Sequence, residues 1–496
     1  MSTSLKKFYI TTPIYYVNDR PHIGHAYATI AVDVLARFWR IRLGEDRVWF
    51  LTGTDEHGAK IEQAATKAGK TPQIFSDEIA EVFRETWKKL GLSFNDFIRT
   101  TEPRHEEAVV AFLSRIKHAK TPKGNAAVYE GEYEGLYCTG HEAFLKVGDL
   151  VDGLCPDHKT KPELIREKNW FFRLSDYERI LTDRITKDEL TIRPASRRNE
   201  ILSFLASGPE DIAISRPEVR WGIPVPWDQK QTIYVWVDAL INYISAIGFG
   251  KEETRFQTWW PADLHLIGKD IIKFHCVIWP ALLEAAGLSW PRHIFAHGFF
   301  TIDGEKISKT IGNVIDPLAV AQRYGIDALR YFLFREIPFG EDGDFSEEKL
   351  RRVYNGELAN GLGNLVARVA ALGEKISPIA VAFPGDVLPE VLKESENAFR
   401  RYERALEEVR LSEALVEAWR LIGVADRYLN ETQPWAEPDP EKFRKAVANA
   451  GYLVSTITNL TRPFLPEAAD RIAEQISFHD STIAIKKGEG LFPRLG

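Results

Sequence analysis

Beyond its first residue, the 496-residue sequence contains no methionine at all. Cysteine is nearly as scarce: three residues cannot build a disulfide framework. No apolar run reaches the roughly 18–20 residues that a membrane span needs, so no membrane partner is expected. The opening Met1-Ser-Thr-Ser-Leu-Lys-Lys lacks the apolar stretch of a secretory signal, which makes the cytoplasm the expected compartment. Basic side chains are outnumbered, 64 Lys and Arg against 71 Asp and Glu, for a net charge of -7. That balance excludes a general DNA or RNA coat protein, although a local basic track can still recognise RNA at chosen places. Low-complexity tracts and internal repeats are also missing.

What is present suits a multidomain soluble protein, because a chain of this length exceeds one hydrophobic core. Lys7 to Thr12 reads as a short buried strand closed by Pro13, and His25 to Arg42 as a helix ended near Gly44. Val48 to Thr52 reads as a second strand cut off by Gly53, followed by helical patterns from Ala59 to Leu90. This alternation predicts a doubly wound α/β domain with a parallel, Rossmann-like sheet. Residues 120–222 break the rhythm and read as an insertion between the two halves of that domain, 1–119 and 223–345. Strand character returns at Thr232 to Val237, Leu264 to Ile267 and His293 to Phe300, the last leading to a turn at Asp303-Gly304. Residues 346–496 carry helical spacing over 346–372, 391–429 and 441–476, which predicts an all-α bundle.

Two local patterns carry chemistry. Pro21-His22-Ile23-Gly24-His25 falls just after the first strand, at the start of the first helix. In an open parallel sheet, ligands sit beyond the carboxyl ends of the strands. A helix N-terminus favours phosphate, Gly24 permits close approach, and imidazoles three residues apart project the same way. Taken alone, H-x-G-H also describes a cap beside a surface histidine. Lys306-Ile307-Ser308-Lys309-Thr310 follows a strand and a tight turn, and its two lysines can close over a triphosphate as point charges. A lysine-bearing loop by itself is commonly just solvated.

Together, in this order, the two patterns resemble the paired HIGH and KMSKS signatures of class I aminoacyl-tRNA synthetases. Ile307 departs from the usual methionine of the second signature, a near volume-conserving exchange. Thr11–Asn18, Leu51–Gly58, Tyr234–Tyr243 and Ile267–His275 resemble the methionyl-tRNA synthetases in particular. The resemblance implies attack of a methionine carboxylate on the α-phosphate of ATP, with Mg2+, and then transfer to tRNA(Met). It implies His22, Gly24, His25 and Lys309 at the phosphates, with Lys306 and Lys309 on the departing pyrophosphate. Gly268 and Asp270 would approach the ribose. Asp55 would take the substrate ammonium, while Ile14, Tyr16, Trp236, Ala239, Tyr243, Ile271 and His275 surround the side chain. Aromatic edges suit a polarisable thioether. An aromatic in Tyr-Val-Trp-Val, without this context, is more often core. The insertion is too small for the editing domain that leucyl, isoleucyl and valyl enzymes need, since an apolar pocket separates substrates by only about 1–3 kcal/mol per methylene.

Cys138-Thr-Gly-His141 and Cys155-Pro-Asp-His158 repeat C-x-x-H, a spacing that suits one structural Zn2+. The alternative is two solvated histidines beside two buried thiols. The family's knuckles are often richer in cysteine, so His141 in place of a thiolate is a departure. Farther on, Asn360, Asn364 and Arg368 are spaced four apart, and Gln433-Pro434-Trp435 ends another helical stretch. The pattern alone also fits a capped solvated helix with a core tryptophan; the resemblance implies contacts to the anticodon, with Trp435 stacking on a base. Another H-x-G-H nucleotidyl transferase would not need this bundle, and a non-catalytic tRNA-binding paralogue would not need His22, His25 and Lys309. The bundle closes the sequence without an appended dimerisation module, so a monomer is expected.

Overall fold

A computed structural model describes residues 6–138, 143–145, 148, 150–156, 159–302, 304–306, 314–479 and 481–496. It divides into two compact units, 1–21 with 39–296, and 22–38 with 297–496.

The first unit is organised on a parallel sheet: β1 (Phe8–Thr11), β2 (Tyr15–Tyr16), β3 (Val48–Asp55), β4 (Asp96–Arg99), β5 (Thr191–Arg193), β6 (Leu264–Gly268) and β7 (His293–His297). The strand order is β4-β3-β1-β6-β7-β5, with β2 pairing the far end of β3. The chain runs outward from β1 through β3 to β4 and later resumes on the other flank at β6. The order therefore reverses between β1 and β6, and the crevice beyond their carboxyl ends is where such a sheet accepts a ligand.

β3 extends three residues past its expected end at Thr52, running through Gly53 to Asp55. A side chain at Gly53 would place its Cβ 2.0 Å from the Ile98 carbonyl oxygen, so glycine here permits close approach of β4 and does not end the strand. The expected strand at Thr232 to Val237 is divided: Asp228–Ile233 is a strand, and Val235–Leu240 is helical. Val237 and Asp238 both donate their amides to the Tyr234 carbonyl, which starts the helix. The stretch His293 to Phe300 likewise splits into β7 and a separate strand, Phe300–Ile302.

Within 120–222, Val128–Cys138 pairs antiparallel with Glu163–Phe172 in a four-stranded sheet, whereas Thr191–Arg193 returns to the main sheet as β5. The core of this unit is aromatic and aliphatic, with Phe112, Tyr177, Tyr243 and Trp279 all essentially inaccessible.

The second unit contains the first part of α1 (Ile23–Leu43) and the helical C-terminal region. The expected helix over 391–429 is two helices, Pro389–Glu407 and Leu411–Thr432, broken at Val409, which holds φ 60°. A small sheet of Ile379–Ala380, Ile476–His479 and Thr482–Ile485 interrupts the all-helical pattern. Asp33 of α1 and Arg330 are wholly buried and paired at 2.7 Å, and Arg330 also donates to the carbonyls of Pro463 and Phe464. Such a pair is costly to break from one side, because the remaining charge stays buried.

Asp327, on the same helix as Arg330, accepts the Ala468 amide at 2.6 Å. Burial pushes its carboxyl up to about 6, against hydrogen bonding and the Arg330 charge that act to lower it. A raised carboxyl pKa penalises the folded state once the group ionises, so stability falls as pH rises from about 4 to 6. Asp327→Asn keeps an acceptor and removes the charge. It should raise thermal stability at pH 8, by up to about 3 kcal/mol, with the advantage gone near pH 4. Thermal melts of both proteins at the two pH values check this; an equal effect at both would remove the carboxyl's ionisation as the cause.

Candidate active site and RNA-binding face

The histidine motif opens α1, and its geometry is set by backbone donors. The Gly24 amide donates to His22 Nδ1 at 3.1 Å, and the His22 amide donates to His25 Nδ1 at 3.3 Å. The two rings stack with centroids 3.8 Å apart. A ring nitrogen that accepts a hydrogen bond carries no proton, so both imidazoles are held as the neutral tautomer with hydrogen on Nε2. Each therefore presents one N–H donor suited to a phosphate oxygen. What crowds Gly24 is His22 itself: a Cβ at Gly24 would lie 3.0 Å from its Cε1.

The same unit holds both flanks of the lysine segment. Thr301 and Ile302 pair antiparallel with Lys306 and Glu305 around Gly304, whose φ of +83° suits the turn. Asp344 braces this hairpin, accepting from the Gly304 amide at 2.7 Å and from Thr301 Oγ1 at 2.8 Å. Tyr27 of α1 meets Phe300 edge to face at 4.6 Å. On the far flank, the Ile315 carbonyl accepts the Ile23 amide at 3.0 Å. The chain leaving the lysine segment is thus bonded directly to the histidine motif. Ile307 to Thr310, including Lys309, lie outside the described residues.

The first unit brings the amino-acid candidates to the carboxyl ends of its strands. Tyr16 pairs with Asp55, the last residue of β3, and Gly268 ends β6. Asp55 is buried, and Asp270 follows in a short turn where burial raises its carboxyl pKa. His275 Nδ1 lies 3.0 Å from the Ile271 carbonyl, and its Nε2 lies 2.7 Å from the Tyr243 hydroxyl. A carbonyl can only accept, so Nδ1 carries the proton and Nε2 accepts from the tyrosine. Burial holds His275 down to about 4, neutral at physiological pH. Trp236 stacks on Phe274 at 4.3 Å, and Ile14, Tyr16, Trp236 and Ile271 all pack on the core that contains Ala239's neighbours Leu240 and Tyr243. Of the candidates for the methionine side chain, Ile14, Tyr16, Trp236, Ala239, Tyr243 and Ile271 are apolar or aromatic, and His275 is uncharged.

In the helical unit, Asn360 falls in a π-helical run, Tyr354–Gly363, so the four-residue spacing to Asn364 is not a single α-helical face. Asn360 accepts from Arg494 at 2.8 Å. Asn364 is exposed and begins the helix Asn364–Gly373. Arg368 donates to Asp426 and Asn430 at 3.1 and 3.0 Å, and its guanidinium lies 5.4 Å from the Trp435 ring. Trp435 is 53% exposed, a surface aromatic rather than a core one.

Cys138 ends a strand and Cys155 opens a tight turn; both thiols are buried. Cys155 donates its amide to the Thr160 carbonyl and accepts from Lys159, which adopts φ 54°. His141 and His158 lie outside the described residues.

Comparison with known proteins finds relatives along nearly the whole chain. The family described as tRNA synthetases class I (M) matches residues 8–162 and 146–370, and the anticodon binding domain of methionyl tRNA ligase matches 382–490. A methionine–tRNA ligase of Thermotoga maritima is 44% identical over 487 residues, covering 96% of this chain and 76% of the relative. The chain belongs to the methionyl-tRNA synthetase family. One from Rickettsia felis is 41% identical, with 98% of this chain and 94% of the relative covered. A solved Mycobacterium tuberculosis methionyl-tRNA synthetase in complex with methionyl-adenylate superposes with a TM-score of 0.91 at 37% identity. It covers 99% of this chain and 100% of its own.

In this family member, sequence reasoning passed over Asp238, His57 and His105, which meet in the structure. His57 and Asp238 lie inside quoted motifs, but a contact between residues 181 positions apart leaves no local trace. Phe274, the stacking partner of Trp236, was hidden in the same way.

Proposed function

We propose that the chain activates L-methionine with ATP and then charges tRNA(Met), using the residues gathered above. In the first step a methionine carboxylate oxygen attacks the α-phosphorus of ATP. The bond to the bridging oxygen breaks, and pyrophosphate leaves. In the second, a hydroxyl of the terminal tRNA ribose attacks the activated carbonyl and AMP departs. The single observation carrying this reading is the Ile23–Ile315 hydrogen bond, which joins the histidine motif to the chain leaving the lysine segment.

The Nε2–H groups of His22 and His25 donate to phosphate oxygens as charge accumulates there, with Gly24 leaving room for the His22 ring. Lys306 and Lys309 take the departing pyrophosphate. Such preorganised donors stabilise the transition state without reorganising as charge develops. ATP enters as its Mg2+ complex, a substrate and not a resident cofactor. Asp55 receives the methionine ammonium, and Gly268 and Asp270 approach the ribose. Ile14, Tyr16, Trp236, Ala239, Tyr243, Ile271 and His275 enclose the thioether side chain. The neutral Tyr243–His275 pair offers polar contact without a charge that would favour a polar competitor. On the helical unit, Asn360, Asn364, Arg368 and Trp435 read the anticodon.

Two buried thiols, each followed by histidine after two intervening residues, suit a tetrahedral zinc held by Cys138, His141, Cys155 and His158. Zinc there cross-links the insertion and supplies no chemistry to activation. Metal analysis should find about one zinc per chain, and a value well under that removes the assignment. Among the described residues no helix is long and apolar enough to cross a membrane; the reading places the enzyme in the cytoplasm, acting as a monomer.

The test is ATP–pyrophosphate exchange run separately with each amino acid. Methionine alone should support it. Exchange with a different amino acid, exchange without any, or none at all would each overturn the proposal.

A further inference from the structure

Asp238 is buried between two histidines. Its Oδ2 lies 2.7 Å from His57 Nδ1, and its Oδ1 lies 2.8 Å from His105 Nε2. His105, itself wholly inaccessible, lies 2.8 Å from Ser245 Oγ through its other nitrogen. Burial works against an ionised Asp238, but the two histidines outweigh it and hold the carboxyl at about 2. Burial likewise opposes protonation of His57, and the Asp238 charge and hydrogen bond reverse that and raise its pKa.

Each partner belongs to a different element. His57 lies two residues past Asp55, in the turn after β3. His105 stands near the start of the helix Pro103–Lys117. Asp238 sits in the helix Val235–Leu240, between Trp236 and Ala239, and Tyr243 and Ser245 follow in the next turn. The strand side of the turn is independently anchored: Glu56 takes a two-pronged bond from Arg99, 2.8 Å on each arm, and further bonds from Thr54 and Thr101. Asp55 is therefore followed directly by one residue fixed to the sheet, Glu56, and then by one fixed to the pocket helix, His57.

We infer that Asp238 is a positioning residue for methionine: through His57 and His105 it sets the distance between the carboxylate that takes the ammonium and the aromatic wall that takes the side chain. The inference rests on the pocket reading given above. An amino acid must satisfy both ends at once, so a shift of this helix weakens methionine and leaves the nucleotide largely unaffected.

The experiment is steady-state pyrophosphate exchange with Asp238→Asn, which preserves shape but gives one histidine a donor where it had an acceptor. The KM for methionine should rise about fivefold or more, with the KM for ATP within about twofold. Donor-preserving changes should rescue: His57→Asn near the Nδ1 position and His105→Gln near Nε2 should stay close to the parent, whereas His57→Leu and His105→Leu should repeat the methionine defect. An unchanged methionine KM, or equal rises for methionine and ATP, would overturn the inference. Asp55→Asn is measured alongside. If it leaves the methionine KM unmoved, the pocket reading itself fails and takes this inference with it. If it raises the KM while Asp238→Asn does not, only the positioning role is lost.

Discussion

His22→Asn should slow methionine-dependent pyrophosphate exchange by about 10²–10³-fold, the loss typical of removing one preorganised donor to a developing oxyanion. The expectation comes from the tautomer. The Gly24 amide bonds His22 Nδ1, so the proton that reaches a phosphate is on Nε2. Asparagine can reproduce the oxygen that accepts from Gly24 but extends no donor to the outer position. Glutamine does the reverse: its terminal amide nitrogen reaches near the Nε2 site. His22→Gln should therefore recover part of the lost rate, and the difference between the two variants measures the donor rather than the packing. Methionine binding, measured by equilibrium titration without ATP, should remain within about twofold in both, because the histidine motif is assigned to phosphate and not to the side chain. Two variants with the same rate, or both within threefold of the parent, would show that Nε2–H has no part in the chemistry.

How much of this was open to sequence reasoning depended on the range of the interaction. The strand and helix alternation that predicts the parallel sheet is local, and so are the turn at Gly304 and the boundary of α1 near Gly44. Tyr234–Val237 reads as a strand in the sequence although it is not one, because Val235, Val237, Asp238, Ala239 and Leu240 are all buried. A segment enclosed on every side shows neither a two-residue nor a 3.6-residue period, and β-branched composition then misleads. Gly53 misled for the opposite reason: glycine within a strand can mark a close neighbour as well as an end, and only β4 distinguishes them. The π-helical run before Asn364 is equally invisible, since one extra residue per turn changes no residue type. The site was legible where a motif concentrates chemistry in four or five consecutive residues, as at His22–His25. It was not legible where a buried carboxylate takes partners from two other elements, as at Asp238.

Trp435→Ala should separate the two halves of the reaction. Pyrophosphate exchange is expected within about twofold of the parent, while kcat/KM for tRNA falls about 5–150-fold, the range given by losing roughly 1–3 kcal/mol of base stacking. A tryptophan that is 53% exposed contributes little to folding, so its retention on the surface needs another cause. Its surroundings supply one. Gln433, with φ 42°, turns the chain out of the helix Leu411–Thr432 and projects Pro434-Trp435-Ala436 from its end. Arg368 is drawn to one side by Asp426 and Asn430 and rests its guanidinium 5.4 Å from the ring. An indole beside a fixed cation is suited to stacking on an unpaired base while the cation meets the neighbouring phosphate or base edge. Because tRNA binding of this kind involves phosphate contacts, the parent's kcat/KM should fall steeply with salt, and the alanine variant should retain that slope while losing a constant factor. Stacking is insensitive to salt and the electrostatic component is not, so a variant that flattened the salt dependence would assign Trp435 to positioning Arg368. A variant that slowed exchange and charging alike would remove the ring from RNA recognition altogether.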